Sequence, residues 1–243
     1  MASFDFKLLQ AINDWQKGGK HVKASRGKKL KALAAALETR FRTVDQPCYR
    51  RIDLDDPGLQ LLGETLRLPE TISAWTLSPE IAQGHNDGVP APGGKIGMIV
   101  RLEPMPSARS VVINLDALFS DPCFREGEAN FRDRIKEYDR GMGRYSNHQR
   151  EVIIECSEVR LNQVWAWGGH SSSREELLAG MRTGRYGLEY TTPEAIEIVH
   201  RGLEAEPDRL GRQWLMGPEA VARVRSRLEH RAKARAARHR GSR

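Results

Sequence analysis

Three short pieces of this 243-residue chain combine residue types that do chemistry. Tyr49-Arg50 places a guanidinium, a planar fork of donors suited to phosphate or carboxylate, inside a β-type run. The run Ser73-Ala74-Trp75-Thr76-Leu77-Ser78-Pro79-Glu80-Ile81-Ala82 sets hydroxyls and a carboxylate around a strand-to-helix turn. Gln149-Arg150-Glu151 puts an amide and a carboxylate two residues apart, which on a strand places both on one face. Taken singly, each piece has an ordinary structural role. Arg50 can pair with Asp53 or Asp55 at a strand edge, and Thr76 is a common β former. Ser78-Pro79-Glu80 is a usual helix start, and Glu151 suits a solvated strand end beside Arg150. Elsewhere the signals are thinner. His148 and His170 have no second His or Cys at metal-ligand spacing, so no metal is expected. Cys48, Cys123 and Cys156 lack zinc or redox spacing and read as small buried hydrophobes in a reducing setting. Trp165 and Trp167 alternate on one strand face as core residues, and the chain has no P-loop, dinucleotide-type glycine fingerprint or internal repeat.

The elements that must position these residues follow from periodicity and punctuation. Phe6, Leu8, Leu9, Ile12 and Trp15 predict a helix over Phe4 to Trp15, stopped by the Gly18-Gly19 pair. Leu30, Leu33, Leu37 and Phe41 predict a second over Lys28 to Phe41. Short strands are then expected at Cys48 to Leu54, Thr71 to Leu77, Ile96 to Leu102, Arg109 to Leu115, Glu151 to Cys156 and Val159 to Trp167, separated by Pro-, Gly- and Asp-rich turns. The polar stretch from Asp121 to His148, with a helix expected around Asn130 to Tyr138, reads as a mobile active-site loop. Helices return at Ser171-Ser172-Ser173-Arg174-Glu175, Pro193 to Gly202 and Pro218 to Arg238. The fold class is α+β: a helical cap over 1-45, a mostly antiparallel β core over 46-170, and a helical extension with a basic tail over 171-243.

In their order and strand context, the three pieces resemble the mono-ADP-ribosyltransferases of the R-S-E class, in a Gln-x-Glu variant of bacterial or phage toxin type. That family carries an aromatic-Arg on the first core strand and Ser-Thr-Ser on the second, followed by a Ser-Pro-Glu-type turn. Glu-x-Glu or Gln-x-Glu then opens a later strand. The resemblance covers roughly Pro47 to Trp167 and implies a split, mostly antiparallel β core, with NAD as co-substrate. It implies Glu151 as the catalytic carboxylate, Gln149 as the residue that contacts the acceptor, and Arg50 with Ser73, Ala74, Trp75 and Thr76 around NAD. The family's first serine falls at Ala74 and its last at Thr76, so the hydroxyl that in the family orients the other groups is missing. Ser73 is the candidate to replace it. In this family Gln-x-Glu accompanies acceptors other than arginine, among them asparagine and guanine in DNA.

Composition and charge bound the partners. Apolar residues are 39% and charged residues 29%, and no window is apolar over the roughly 18 residues a membrane span needs. The first residues, MASFDFKLLQ, lack a secretory pattern, so a cytoplasmic location and no membrane partner are expected. Cations crowd the two ends. Seven lie between Lys17 and Lys31 with no acid, and nine lie from Arg223 to Arg243 against Glu229 alone. Arg227, Arg231, Arg235 and Arg238 share one stripe at helical spacing, and beyond Leu228 no large apolar residue remains. Such ends suit RNA or DNA first, and also an acidic inhibitory antitoxin or chaperone. The expected function is transfer of ADP-ribose to a nucleobase. A protein acceptor ranks second, and a non-catalytic nucleic-acid binder with a degenerate NAD pocket is the rival.

Overall fold

The computed structural model describes residues 4–19, 22–54, 65–68, 70–84, 96–105, 110–168 and 214–216, with positions 197, 222, 226 and 233. Its elements are α1 (Phe6–Gln16), α2 (Lys23–Ala34), β1 (Cys48–Leu54), β2 (Thr65–Arg67), β3 (Ile72–Thr76), α3 (Pro79–Gly84), β4 (Ile96–Leu102) and β5 (Val111–Asn114). They continue with α4 (Leu115–Ser120), α5 (Pro122–Phe131), α6 (Met142–Tyr145), β6 (Glu151–Glu155), β7 (Glu158–Arg160), β8 (Val164–Gly168) and β9 (Trp214–Met216). The described strand pairs are antiparallel and helices pack with them, an α+β architecture.

The chain divides into two compact units. The first comprises Met1–Arg50, Thr65–Ala82 and Arg101–Gln163. In it, strands run in the order β5, β6, β3, β1, with β2 and β7 forming a separate pair. The second comprises Arg51–Glu64, Gln83–Val100 and Val164–Arg243, and its described strands run β4, β8, β9. The two N-terminal helices thus fold with the site-bearing strands rather than as a cap of their own.

α1 starts where the Asp5 carboxylate accepts from the Leu8 amide at 2.8 Å, and it ends before Gly18 and Gly19, which take positive φ. Its spacing puts Leu8, Leu9, Ile12 and Trp15 in the core with Leu30, Ile72, Ile113 and Ile153. At roughly 1.5–3 kcal/mol for each large side chain fully buried, docking of α1 contributes on the order of 10 kcal/mol before entropy is subtracted. α2 crosses close by at Gly27, where a Cβ would meet Ile72 at 3.1 Å and the Trp15 ring at 3.2 Å. It begins five residues earlier than the apolar spacing predicts and stops at Ala34. Leu37 packs on the core from beyond the helix, and Phe41 belongs to a short turn over Thr39–Phe41.

The stretch from Asp121 to His148, expected as a mobile loop, is a chain of short helical pieces. Asp121 caps α5 by accepting from the Cys123 and Phe124 amides at 2.9 and 3.2 Å, with Pro122 at the first helical position. Phe124, Ile135 and Met142 are buried and anchor the segment. α1 fastens it with polar side chains. Asn13, fully buried, donates to the Lys136 carbonyl at 2.9 Å and accepts from the Met142 amide at 2.8 Å. Gly141 is required there, because a Cβ would stand 2.4 Å from the Asn13 side-chain oxygen. Lys17 adds ion pairs to Asp14 and Glu137. Among the described residues no helix is long and apolar enough to cross a membrane.

Candidate active site

The three motif segments come together on neighbouring strands of the first unit. Tyr49 of β1 pairs with Thr76 of β3, and Thr76 pairs with Glu151 of β6, forming one row across three strands. Directly paired residues share a sheet face, and residues alternate along a strand. Ala74, paired with Ile153, therefore lies on the face of Thr76 and Glu151. Ser73 and Trp75 lie on the opposite face, where the buried Trp75 indole donates to the buried Ser73 hydroxyl at 3.1 Å. Ser73 therefore does not stand in for the hydroxyl missing at Ala74.

Thr76 ties the row together. Its hydroxyl donates to the Gln149 carbonyl at 2.8 Å and accepts from the Ser78 amide at 3.1 Å. The Ser78 hydroxyl accepts from the Ile81 amide at 3.2 Å, the side-chain cap that starts α3, and donates to Glu80 at 2.7 Å. The Gln149-x-Glu151 pair departs from the strand geometry the spacing predicts. Gln149 sits in a turn and Arg150 takes φ 44°, a left-handed conformation costly for a side-chain-bearing residue, so β6 opens only at Glu151. The Arg150 carbonyl accepts from Leu77 at 3.1 Å and its guanidinium reaches Asp116 at 3.3 Å, which holds this turn. Gln149 is placed by its backbone rather than by strand alternation.

Glu151 is not a solvated strand-end charge. It is 5% exposed, and its Oε1 accepts from the Trp15 indole Nε1 at 2.7 Å. The Gln16 amide approaches Oε2 at 3.5 Å, a weak contact, while also donating to the Ser146 carbonyl at 3.1 Å. Burial pushes the Glu151 carboxyl above the ordinary carboxylate range, and the Trp15 and Gln16 hydrogen bonds and the Lys23 charge pull against that. The carboxylate end of the site is therefore a low-dielectric environment with neutral donors.

Arg50, one residue along β1 from Tyr49, alternates to the sheet face opposite Thr76 and Glu151 and meets a different environment. Its Nη2 donates to Glu70 at 2.9 Å, and the same Glu70 oxygen receives Lys23 at 2.8 Å. Asp53 instead pairs with Arg51 at 2.9 Å, and Asp55 lies outside the described residues. The Arg50 side chain is 13% exposed; burial lowers its pKa, and Glu70 opposes the shift. Its Nη1 is buried without a hydrogen-bond partner, an orphan donor pair that an anion would satisfy. That fits a phosphate group, with Glu70 as a built-in competitor.

Trp15, Gln16 and Glu70 contact the candidate residues, and Lys23 contacts Glu70; the sequence does not single them out. A faint signal existed for Trp15, since a tryptophan buried on a helix stripe must find an acceptor for its N–H. Among the described residues no group of three or more His, Cys, Asp or Glu is placed to hold a metal ion. The basic stripe Arg227, Arg231, Arg235 and Arg238 lies outside the described residues, as do His170 and the helices expected at Ser171 to Glu175. The N-terminal basic run is partly spent inside the fold. Lys17, Lys23 and Lys31 pair with Glu137, Glu70 and Glu155, and Arg26 donates to the Gly18 carbonyl. No family model, no curated protein and no solved structure matches this chain, so its chemistry has to be read from the placement of its own residues.

Proposed function

We propose that the chain is an NAD-dependent mono-ADP-ribosyltransferase whose acceptor is a nucleobase in RNA or DNA. The observation that supports this most directly is the row Tyr49–Thr76–Glu151, which sets these three residues on one face of adjacent strands with the carboxylate buried. Cleavage of the nicotinamide–ribose bond sends the bonding pair out with nicotinamide and leaves positive charge on the sugar. The acceptor nitrogen or oxygen then closes the new bond to the same carbon and loses its proton to solvent. A carboxylate fixed in low-dielectric surroundings stabilises that charge far better than a solvated one. Glu151 takes this role. Arg50, through the Nη1 that no protein group satisfies, takes the pyrophosphate. Gln149, at the turn before β6, takes the acceptor.

Incubation with NAD labelled in the adenylate, in the presence of RNA, DNA and lysate protein, tests the reading. Nicotinamide release with label retained on nucleic acid is the expected result, and label on protein alone would replace the acceptor. The rival, a nucleic-acid binder without turnover, is favoured by one observation: Glu70 already occupies one arm of Arg50. Absence of nicotinamide release from full-length protein would establish the rival instead. If the tail delivers the polynucleotide, removal of the residues after Leu228 weakens nucleic-acid binding. It also makes the log-affinity against log-salt slope shallower by about one for each phosphate the shortened chain no longer neutralises.

A further inference from the structure

We infer that Trp15, assisted by Gln16, is the positioning residue for Glu151, doing from α1 what a hydroxyl at position 74 would do from β3. This rests on the transferase reading above. The Glu151 carboxylate has about four lone-pair sites. Trp15 takes one at 2.7 Å and Gln16 touches another at 3.5 Å, which leaves lone pairs for a ribose hydroxyl. Ala74 shares the face of Glu151 and sits one diagonal step away across the β3–β6 pair, a separation that a glutamate side chain spans. With a methyl group there, β3 offers Glu151 no donor at that point. The indole supplies it. Trp15 is also not a cover waiting to swing aside, because lifting α1 exposes Leu8, Leu9 and Ile12 along with it. The contact is part of the core and holds the carboxylate in one orientation throughout turnover.

Among the described residues, few groups surround Glu151. α1 offers the neutral Trp15 and Gln16, α2 offers Lys23, and β3 offers Ala74 and Thr76. The adjoining Arg150 is paired with Asp116. Removing the indole donor therefore withdraws stabilisation from the ionised carboxylate, and a form that must be ionised to act then needs a higher pH.

Trp15→Phe keeps a ring in the core and deletes the donor. The expected result is a kcat for nicotinamide release lower by about 10- to 100-fold, the range for a hydrogen bond to a charged group, with KM for NAD within about twofold. The acid limb of the pH profile moves to higher pH. Adding Ala74→Ser to Trp15→Phe restores part of the lost rate and moves the limb back, which a purely structural tryptophan would not allow. In the native protein the Trp15 indole N–H resonance is expected to titrate with Glu151 and to become pH-independent over that range in Glu151→Gln. This readout stands even if Trp15→Phe does not fold. A rate in Trp15→Phe that is unchanged or increased, or a native indole resonance blind to Glu151, overturns the positioning role alone. No nicotinamide release from the wild-type protein overturns the transferase reading and this role with it.

Discussion

Glu151 and Arg50 are both charges taken largely out of water, and they are held by opposite means. Glu151, 5% exposed, rests on a neutral indole and a neutral amide supplied by α1. Arg50, 13% exposed, rests on the Glu70 carboxylate, which Lys23 also holds. A neutral donor stabilises an anion without cancelling its charge, so the ionised form of Glu151 keeps its full negative charge, while burial raises its pKa. A counter-ion cancels charge, so the Arg50 end keeps only the Nη1 donor uncommitted. The difference separates a group poised to act on developing positive charge from one that must exchange partners before it can bind an anion.

The largest expected effect comes from removing the first of these charges. Glu151→Gln keeps the shape and the acceptor for Trp15, and nicotinamide release is expected to fall by about 10²- to 10³-fold with NAD affinity nearly unchanged. Stability should move the other way. A carboxyl whose folded pKa is raised binds its proton more tightly in the folded state, so its contribution is fully present below the ordinary value of 4.5. It is lost as pH rises from there through the folded pKa. The neutral variant is therefore at least as stable as wild type at pH 7, and the gap narrows as pH falls toward 4. Calorimetric melts of both proteins from pH 4 to 7 check this, and a variant uniformly less stable at neutral pH would mean that the charge is compensated.

Asn13→Ala is next in size and acts on α1, the helix that also carries the Glu151 donors. It strips a partner from the Met142 amide and the Lys136 carbonyl, both engaged by a fully buried side chain. Leaving a buried group unsatisfied costs about 1 to 3 kcal/mol, so with two such groups a loss of about 2 to 6 kcal/mol in chemical denaturation is expected. NAD affinity through Arg50 should be retained. Equal damage to both would show that α1 supports the whole site rather than one end of it.

Much of this arrangement was legible in the sequence, for reasons that particular residues make plain. The helix at Phe6–Gln16 and the strands at Ile72–Thr76 and Glu151–Glu155 follow from period and punctuation, which are local properties. The Asp121 to His148 segment misled because its charged surface hides three widely spaced anchors, Phe124, Ile135 and Met142, and because its other fastening is Asn13, more than a hundred positions away. Val159 to Trp167 reads as one strand but breaks at Leu161–Gln163 into β7 and β8, which pair with β2 and β4 respectively. Glu151's donors were illegible for the same reason as the Asn13 hydrogen bonds. Trp15 counted as an apolar residue until the fold placed its N–H over the start of β6.

At the Arg50 end the effects are smaller and differ in sign between its two partners. Arg50→Ala removes the guanidinium fork, and NAD binding is expected to weaken by about 1.5 to 3 kcal/mol in a titration that does not depend on turnover. Glu70→Gln is the finer test, because it keeps an oxygen for Arg50 and Lys23 while removing the negative charge that competes with a phosphate. If the two ends differ as described, the substitution tightens NAD binding by about 1 kcal/mol, the upper range for a pair this exposed, and leaves the pH profile set by Glu151 in place. Tighter binding with an unmoved acid limb would establish Glu70 as a gate on the guanidinium. Weaker binding would place Glu70 among the groups that orient Arg50, and the two ends would then share one logic.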